Sequence, residues 1–354
     1  MKKVLRVMLG LVGLIIVLAI GLVAYLTIRE YKPEAVEELT IEGQADSSPA
    51  AGESFSLLTW NIGYGALGES ADYFMDGGQQ VMTATKEEVV ENVTAMAEAI
   101  NALDPDVIFL QEMDVQSDRS HDVDERAMMT ELLNTKENAF AYNFNVDFVP
   151  YPLPPIGQVR GGIATFSDYR MTSAERVALP CPFGYPVRVA NLKRCLLVSR
   201  VPVEGSDREL VLINFHLEAY DDGEGKAAQT AMLRDYIDNE IAAGNYVIAG
   251  GDLNQVFSSV NEDKFPIVSR TAWQPGVIAA HEFENARFYT GEDVASCRSL
   301  EVPLTEVAPE EMQYYIIDGF IVSDNLTVEA CETVDLGFQY SDHNPVTLTV
   351  RLTP

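Results

Sequence analysis

The sequence is poor in basic residues, and this shortage argues against one broad class of partner. Its 354 residues include 24 lysines and arginines against 54 aspartates and glutamates, and the formal net charge is −30. Residues 1–32 hold five basic residues and one acidic residue, a contribution of +4, so the remainder carries −34. Such a chain repels polyanions at long range and lacks the cations with which nucleic-acid-binding proteins neutralise phosphates.

Cysteine and histidine are also scarce, with four of each. The cysteines Cys181, Cys195, Cys297 and Cys331 show no Cys-x-x-Cys spacing, which argues against a structural zinc site. In an exported domain, disulfides and buried free thiols are both compatible with this pattern, and Cys181 and Cys195 are near enough in sequence to pair. Because histidine is rare, one that falls within a motif carries more weight.

One long apolar run stands at the N-terminus. Val7–Ile28 contains 22 uncharged residues and follows Lys2, Lys3 and Arg6. A helix of that length spans a hydrocarbon core of about 30 Å. The basic flank predicts that residues 1–32 form a cytoplasmic N-terminus and a transmembrane anchor, with the rest of the chain outside the cytoplasm at the cell membrane. A cleaved secretory signal is the alternative, and it would also export the chain.

Residues 33–54 predict a flexible acidic linker, because they contain six acidic residues, no basic residue and no sustained periodicity. Beyond them, strand-like and helix-like patterns alternate. Thr85 and Glu88 form a capping box before a helical repeat. Lys226 to Ala242 is a second helical segment, with Gly244 placed to end it. This alternation predicts one layered α/β domain over residues 55–354.

Six short segments at the ends of predicted strands carry polar residues suited to phosphate chemistry. They are Leu58–Asn61, Phe109–Glu112, Asn214–His216, Gly250–Asn254, Ile317–Gly319 and Ser341–Pro345. Each alone is compatible with an ordinary turn or a solvated side chain. Phosphate esters resist attack because their oxygens are negative, so their hydrolysis needs a hard cation, an activated water and stabilisation of the leaving oxygen.

Taken together and in this order, the segments resemble the endonuclease/exonuclease/phosphatase superfamily, which includes DNase I-like nucleases, inositol-polyphosphate 5-phosphatases and neutral sphingomyelinases. The resemblance covers residues 54–352. It implies an α/β (α+β) fold, a four-layer α-β-β-α sandwich of two mostly antiparallel sheets, here preceded by one transmembrane helix. It also implies a site at one end, where strand ends and loops converge.

The resemblance implies a metal site on Glu112, a carboxylate that follows an apolar strand, with Asp342 near the metal. Carboxylate ligands suit Mg²⁺ or Mn²⁺. Asn61 would hold the metal–water network and the catalytic carboxylate. Some family members carry an acidic residue two positions after this Asn, where this chain has Gly63. That departure weakens any claim for two metal ions.

The remaining catalytic assignments follow from the same resemblance. Asp252 would orient or deprotonate the attacking water, and Asn254, two residues on, would hydrogen-bond the phosphate. His216 and His343 would contact the phosphate, and Asp318 would orient His343 and raise its basicity. The two glycines before Asp252 permit tight backbone geometry.

Basic residues near these motifs are weaker candidates for substrate binding, since each could equally pair with the acidic surface. They are Arg119, Lys193, Arg194 and Lys226. The proline-rich Tyr151–Gly157 loop is expected to cover the core, with a cleft border or a lipid contact as alternatives. Phe183–Pro186 has the same character.

The resulting hypothesis is a membrane-anchored, extracytoplasmic phosphoesterase that depends on Mg²⁺ or Mn²⁺. The anchor and the acidic surface favour a phospholipid headgroup or a small phosphorylated molecule as substrate. An extracellular nuclease is the alternative enzyme, and a non-catalytic surface-binding module is the alternative of another class. No specific protein partner is implied.

Overall fold

Two seven-stranded sheets form the frame of the computed structural model, which describes residues 1–221, 223–269 and 272–353. Its α-helices are α1 Lys2–Ile28, α2 Lys86–Leu103, α3 Glu125–Leu132 and α4 Glu224–Ala242. Its strands are β1 Val36–Glu38, β2 Ile41–Gly43, β3 Ser54–Asn61, β4 Val107–Asp114, β5 Glu137–Val149, β6 Gly157–Ser167, β7 Ser173–Ala178, β8 Cys195–Pro202, β9 Glu209–His216, β10 Tyr246–Asp252, β11 Gln255–Phe257, β12 Gly276–Ile278, β13 Ala286–Tyr289, β14 Cys297–Arg298, β15 Tyr314–Tyr315, β16 Asp318–Ser323, β17 Leu326–Thr333 and β18 Val346–Leu352.

The first sheet has the order β1-β7-β8-β9-β10-β16-β13, and the second has the order β17-β18-β3-β4-β6-β5-β2. Only β9–β10 and β3–β4 pair in parallel within these sheets; their other pairs, all among described residues, are antiparallel. Because strand side chains alternate between faces, each sheet has one face for its partner sheet and one for a helix.

The central core lies between the sheets, where Leu57 and Phe109 of the second sheet pack with Leu212 and Ile248 of the first. On the outer face of the second sheet, Val93 and other residues of α2 pack on Leu58, Ile108 and their neighbours. On the outer face of the first sheet, α4 packs its Leu233 and Ile237 on the strands. The predicted four-layer α-β-β-α architecture is confirmed.

Helix α2 begins as the sequence predicts. The Thr85 hydroxyl accepts a hydrogen bond from the Glu88 amide, and the Glu88 carboxylate accepts one from the Thr85 amide at 2.7 Å. The helix ends at Asp104, whose φ of 51° lies in the left-handed region that breaks the helical repeat.

The acidic segment 33–54 differs from the flexible linker expected from its composition. It contributes an edge strand to each sheet, β1 against β7 and β2 against β5. Leu39 and Ile41 pack on the central core, and Ser47 and Ala50 make isolated bridges to the domain. Its carboxylates dominate the composition, but backbone pairing and a few apolar side chains hold it in place.

Helix α1 carries the apolar run, and its C-terminal end packs against the α/β domain. Its mean hydropathy of 3.0 and its 27 residues are enough to cross a membrane by length and composition, a test that a signal sequence also passes. Leu26 is buried, and Tyr25 donates a hydrogen bond to Asp147 at 3.1 Å. Arg29 pairs with the same carboxylate at 2.7 Å. The last turns of α1 are therefore docked.

All four cysteines are free thiols, with Cys181 exposed and Cys195 buried. The sequence permits a disulfide between Cys181 and Cys195, but the structure contains no bond between these two residues. The thiol of Cys195 lies within the core between the sheets.

The capping box gives a test of local stability. Thr85→Ala should lower the free energy of unfolding by about 1 kcal/mol, because it removes the side-chain acceptor for an otherwise unpaired helix amide. Urea unfolding would measure the change. Thr94→Ala is the matched control, because Thr94 lies within the same helix and bonds only to Val90 O. It should be neutral or slightly stabilising, since alanine is the better helix former. Equal losses in both variants would contradict the role of the cap.

Candidate active site

Three candidate catalytic residues lie on one rung of the first sheet. Asp252, at the end of β10, pairs with His216 at the end of the parallel strand β9. On its other side it pairs with Asp318, which begins the antiparallel strand β16. Asp318 therefore starts a strand, although the sequence pattern placed it at a strand end. The site still converges, because an antiparallel strand starts where its neighbour ends.

The second sheet brings its residues to the same edge. Asn61 ends β3, and His343 lies just before β18, which runs antiparallel to β3. The Ser341–Pro345 motif thus also precedes a strand. Glu112 sits at an irregularity in β4, with φ of 54°, and its side chain is 24% exposed. This bulge turns the carboxylate out of the sheet into the cleft.

The Asn61 amide joins the two sheets at the site. Its Nδ2 donates to Glu112 Oε1 and to Asp252 Oδ2, both at 3.0 Å. Its Oδ1 accepts a hydrogen bond from the Gly63 amide at 3.0 Å, and the main-chain carbonyl oxygen of Asn61 accepts one from the Ser341 hydroxyl at 2.8 Å. The side chain is therefore fixed at both ends, and it holds two carboxylates near each other.

Two histidines flank Asp252 and differ in their charge state. His216 Nε2 lies 3.4 Å from Asp252 Oδ2, and His343 Nε2 lies 3.8 Å from the same oxygen. Burial and the nearby Arg194 guanidinium hold the pKa of His216 well below its usual range. Burial also acts to lower the pKa of His343, but the Asp318 carboxylate, 2.8 Å from Nδ1, raises it well above normal. These opposite shifts favour the protonated form of His343 and the neutral form of His216.

Asp252 is buried and poised to exchange a proton. Burial and repulsion from Asp318 raise its pKa to about 7. Oδ1 accepts from the Asn254 amide at 2.8 Å, while Asn254 Nδ2 donates to Leu217 O at 2.9 Å. The two preceding glycines are required here. A Cβ at Gly251, where φ is +153°, would meet Phe215 O at 1.9 Å.

The residues present fit a divalent cation. Glu112 and Asp342 face one cleft, and burial with the Glu112 charge raises the pKa of Asp342 to about 6. Such crowded carboxylate oxygens are the ligands that hard cations prefer, and a cation relieves their repulsion. A Cβ at Gly63 would lie 3.1 Å from Asp342 Oδ1, so the missing acidic residue has no room beside this carboxylate.

The structure adds a cysteine to this region that the sequence spacing did not suggest. The ligand atoms of Cys297, Asp342 and His343 lie within 4.8 Å of one another. Burial raises the pKa of the Cys297 thiol to about 12, so it remains protonated.

The four basic candidates divide into two pairs. Arg119 and Arg194 line the cleft, but each is buried and matched by a carboxylate. Arg119 donates two 2.9 Å hydrogen bonds to Asp114 and stacks on Tyr64, and Arg194 lies 3.3 Å from Glu218.

Lys193 and Lys226 do not line the cleft. Lys193 lies near Glu30, and Lys226 stacks over the Trp273 ring at 5.3 Å. Their placement as substrate contacts is not supported by the geometry, because neighbouring carboxylates and a ring engage the two ammonium groups instead.

Sequence patterns missed several residues that line the cleft. Asp76 accepts a hydrogen bond from Tyr220 at 3.1 Å across the opening, and burial raises the pKa of Asp76 to about 7. Asp76 ends a short 3-10 helix and Tyr220 lies in a loop, and neither belongs to a motif. Tyr151 and Ile156 also line the cleft, so the proline-rich loop borders it, contrary to the expectation that it covers the core. Phe183 lies on the same lining.

Comparison with known proteins agrees with this geometry. The family model "Endonuclease/Exonuclease/phosphatase family" matches residues 58–343, so the chain belongs to that family of phosphate-ester hydrolases. Members of this family generally depend on a divalent metal. No curated protein sequence matches the chain.

Solved structures share the fold at low sequence identity. An endonuclease/exonuclease/phosphatase from Beutenbergia cavernae DSM 12333 has a TM-score of 0.57 and 20% identity, covering 85% of this chain and 72% of that one. Truncated TDP2 from Caenorhabditis elegans has a TM-score of 0.50 and 15% identity, with coverages of 85% and 99%. The human Nocturnin catalytic domain with bound sulfate has a TM-score of 0.50 and 16% identity, with coverages of 89% and 98%.

The position of Asp252 predicts that its substitution removes catalysis without removing the fold. Asp252→Asn should lower turnover by about 100-fold or more, the scale of general-base loss, because the amide cannot accept the proton of water. Steady-state hydrolysis of a chromogenic phosphodiester would measure it, with circular dichroism to confirm folding. Asp207→Asn, at an exposed loop position, is the matched control and should retain full turnover. Near-normal turnover in Asp252→Asn would assign water activation to another residue.

Proposed function

We propose that this protein is a membrane-anchored phosphoesterase, active outside the cytoplasm and dependent on Mg²⁺ or Mn²⁺. The observation that carries the proposal is the Asn61 amide, 3.0 Å from both Glu112 and Asp252, with His216 and His343 on either side of Asp252. This arrangement combines metal-ligating oxygens, a proton acceptor and a cationic hydrogen-bond donor in one cleft.

In the proposed reaction, Asp252 accepts a proton from water as the water oxygen bonds to phosphorus. The bond to the leaving oxygen breaks, and that oxygen departs with the electron pair and takes a proton from solvent. His343, kept protonated by Asp318, stabilises negative charge on the phosphate, and His216 and Asn254 donate further hydrogen bonds. A cation held by Glu112 and Asp342 would supply Lewis-acid polarisation of the phosphate oxygens.

A phospholipid headgroup or a small phosphorylated molecule is favoured over nucleic acid. Among the described residues, the cleft arginines Arg119 and Arg194 are matched by buried carboxylates, and the third, Arg298, is buried and donates to the carbonyl oxygens of Gly68 and Ala71. The domain beyond residue 32 carries −34, because residues 1–32 contribute +4 to the total of −30. An extracellular nuclease would need unpaired lysines or arginines along the path of the bound nucleic-acid strand to neutralise its phosphates.

Metal dependence tests the chemistry directly. The full chain in detergent should hydrolyse bis-p-nitrophenyl phosphate or a phospholipid with Mg²⁺ or Mn²⁺, and EDTA should abolish turnover. Glu112→Gln should raise the metal concentration for half-maximal rate by more than about tenfold. Substituting a residue that only supports a metal ligand can already lower metal affinity by about tenfold, so the loss of a ligand should cost more. Glu131→Gln, on the exposed side of α3, is the control. Full activity in EDTA would remove the proposed mechanism.

The exposed thiol of Cys181 tests the topology, since Cys195 and Cys297 are buried. A membrane-impermeant maleimide added to intact cells should label the full chain at Cys181, because the basic residues before α1 favour a cytoplasmic N-terminus. In a Cys331→Ser background, Cys181→Ser should abolish the signal, because Cys331 is a partly exposed free thiol. Labelling that appears only after lysis would place the domain in the cytoplasm.

A further inference from the structure

The cleft has two unlike walls. Its volume is about 600 Å³, and Glu112, Asp252 and His343 lie on the polar wall. The rest of the lining is largely aliphatic and aromatic, and includes Phe74, Phe144, Ile156, Phe183 and Leu192. A phosphate group occupies only a small part of such a space. The apolar wall therefore suits a substrate with a hydrocarbon portion.

The membrane-spanning helix forms part of this apolar wall. Leu22, Val23 and Leu26, in the last turns of α1, line the cleft together with the domain residues. They are held there by the contacts of Tyr25 and Arg29 with Asp147. The active-site opening is thus partly built from the segment proposed to lie in the bilayer.

Helix geometry places this opening at the bilayer surface. Arg6 precedes the apolar run and marks its cytoplasmic edge. At 1.5 Å per residue, a hydrocarbon core of about 30 Å takes about 20 residues, which puts the opposite edge near Leu26. The residues of α1 that line the cleft therefore lie where the helix leaves the hydrocarbon.

Exposed apolar side chains continue this surface beyond the helix. Tyr151 is 66% exposed and Leu153 is 89% exposed, on the loop that borders the cleft. Tyr185 and Val187 are each 57% exposed, and the Tyr185 hydroxyl lies 3.4 Å from Thr27 of α1. Aromatic and aliphatic side chains beside a membrane helix are well placed to enter the interfacial region.

Charge around the end of α1 reinforces this orientation. Five cations lie around the carboxylates of Glu30 and Asp147 at this end of the helix. These cations are Arg29, Lys32, Arg160, Arg188 and Lys193. Such a basic collar suits the phosphates of lipid headgroups.

We propose that the apolar wall binds the hydrocarbon tail of an amphiphilic phosphate ester, which enters the cleft sideways from the bilayer. The polar wall then receives the phosphate. This inference rests on the proposed function and adds to it the class of substrate, a membrane lipid instead of a soluble phosphate ester or a nucleic acid. It adds no chemical step.

Photolabelling tests tail binding without requiring turnover. The full chain would be reconstituted in phosphatidylcholine vesicles that contain a phosphatidic acid with a diazirine in its acyl chain. Irradiation should label cleft residues of the domain, such as Phe144, Ile156 and Leu192, in addition to α1. Val277, 71% exposed on β12, should remain unlabelled. Labelling confined to α1 and the exposed loops would overturn the tail site.

A matched pair of helix variants tests the same site by rate. Val23→Trp fills the apolar wall, whereas Val17→Trp makes the same change at a residue 65% exposed on α1 and absent from the cleft lining. The measured quantity is the ratio of turnover on a phosphatidylcholine to turnover on bis-p-nitrophenyl phosphate, each with Mg²⁺. Val23→Trp should lower this ratio by about tenfold, the effect of excluding about two methylene groups from an apolar site. Val17→Trp should leave it unchanged.

The outcomes distinguish a failure of the tail site from a failure of the proposed phosphoesterase activity. Equal ratios in the two variants would overturn the tail site and leave the phosphoesterase intact. A wild-type chain without metal-dependent hydrolysis of either substrate would overturn the proposed function, and this inference with it.

Discussion

The hydrogen bonds from the Asn61 side chain to Glu112 and Asp252 are the constraint on which the site depends. Two carboxylates in a partly dry cleft repel each other, so they stay close only where a donor is fixed between them. Asn61 belongs to one sheet and Asp252 to the other, so these bonds also require the two sheets to end at the same place. A second hydrogen bond joins the sheets beside the site: Gln111 Nε2 donates to Asn214 Oδ1 at 2.8 Å. A buried amide pair of this kind fixes the relative position of the sheets, because any slip would leave polar groups unsatisfied.

The same crowding assigns different roles to chemically identical side chains. His343 is held cationic by Asp318, while Arg194 and burial keep His216 neutral. Asp252 shares its surroundings with Asp318, and their repulsion raises the pKa of Asp252 toward neutrality. The site therefore holds a proton donor and a proton acceptor at the same pH, the separation that acid–base catalysis needs.

Local sequence patterns predicted those parts of the molecule whose causes are local. The Thr85 cap and the apolar strands each depend on near neighbours, and the structure contains them as expected. The acidic segment 33–54 was misjudged because its order comes from pairing with β5 and β7, which lie far away in sequence. Asp76, at the end of a 3-10 helix, and Cys297, in the short strand β14, reach the cleft through long-range packing, and no spacing rule identifies them. Lys193 belongs to a basic pair in sequence and Lys226 follows the His216 motif, but neither lines the cleft, because neighbouring side chains engage both.

The N-terminal segment is held against the domain and therefore differs from a simple flexible tether. A flexible linker would let the domain rotate freely and would raise only the local concentration of substrate. Here the edge strands β1 and β2 and the docked end of α1 leave little freedom between the helix and the cleft. The helix therefore fixes the direction in which the cleft opens, and Leu22, Val23 and Leu26 supply part of its wall. A substrate already aligned in the bilayer would meet a preorganised site and lose less freedom on binding than one arriving from solution.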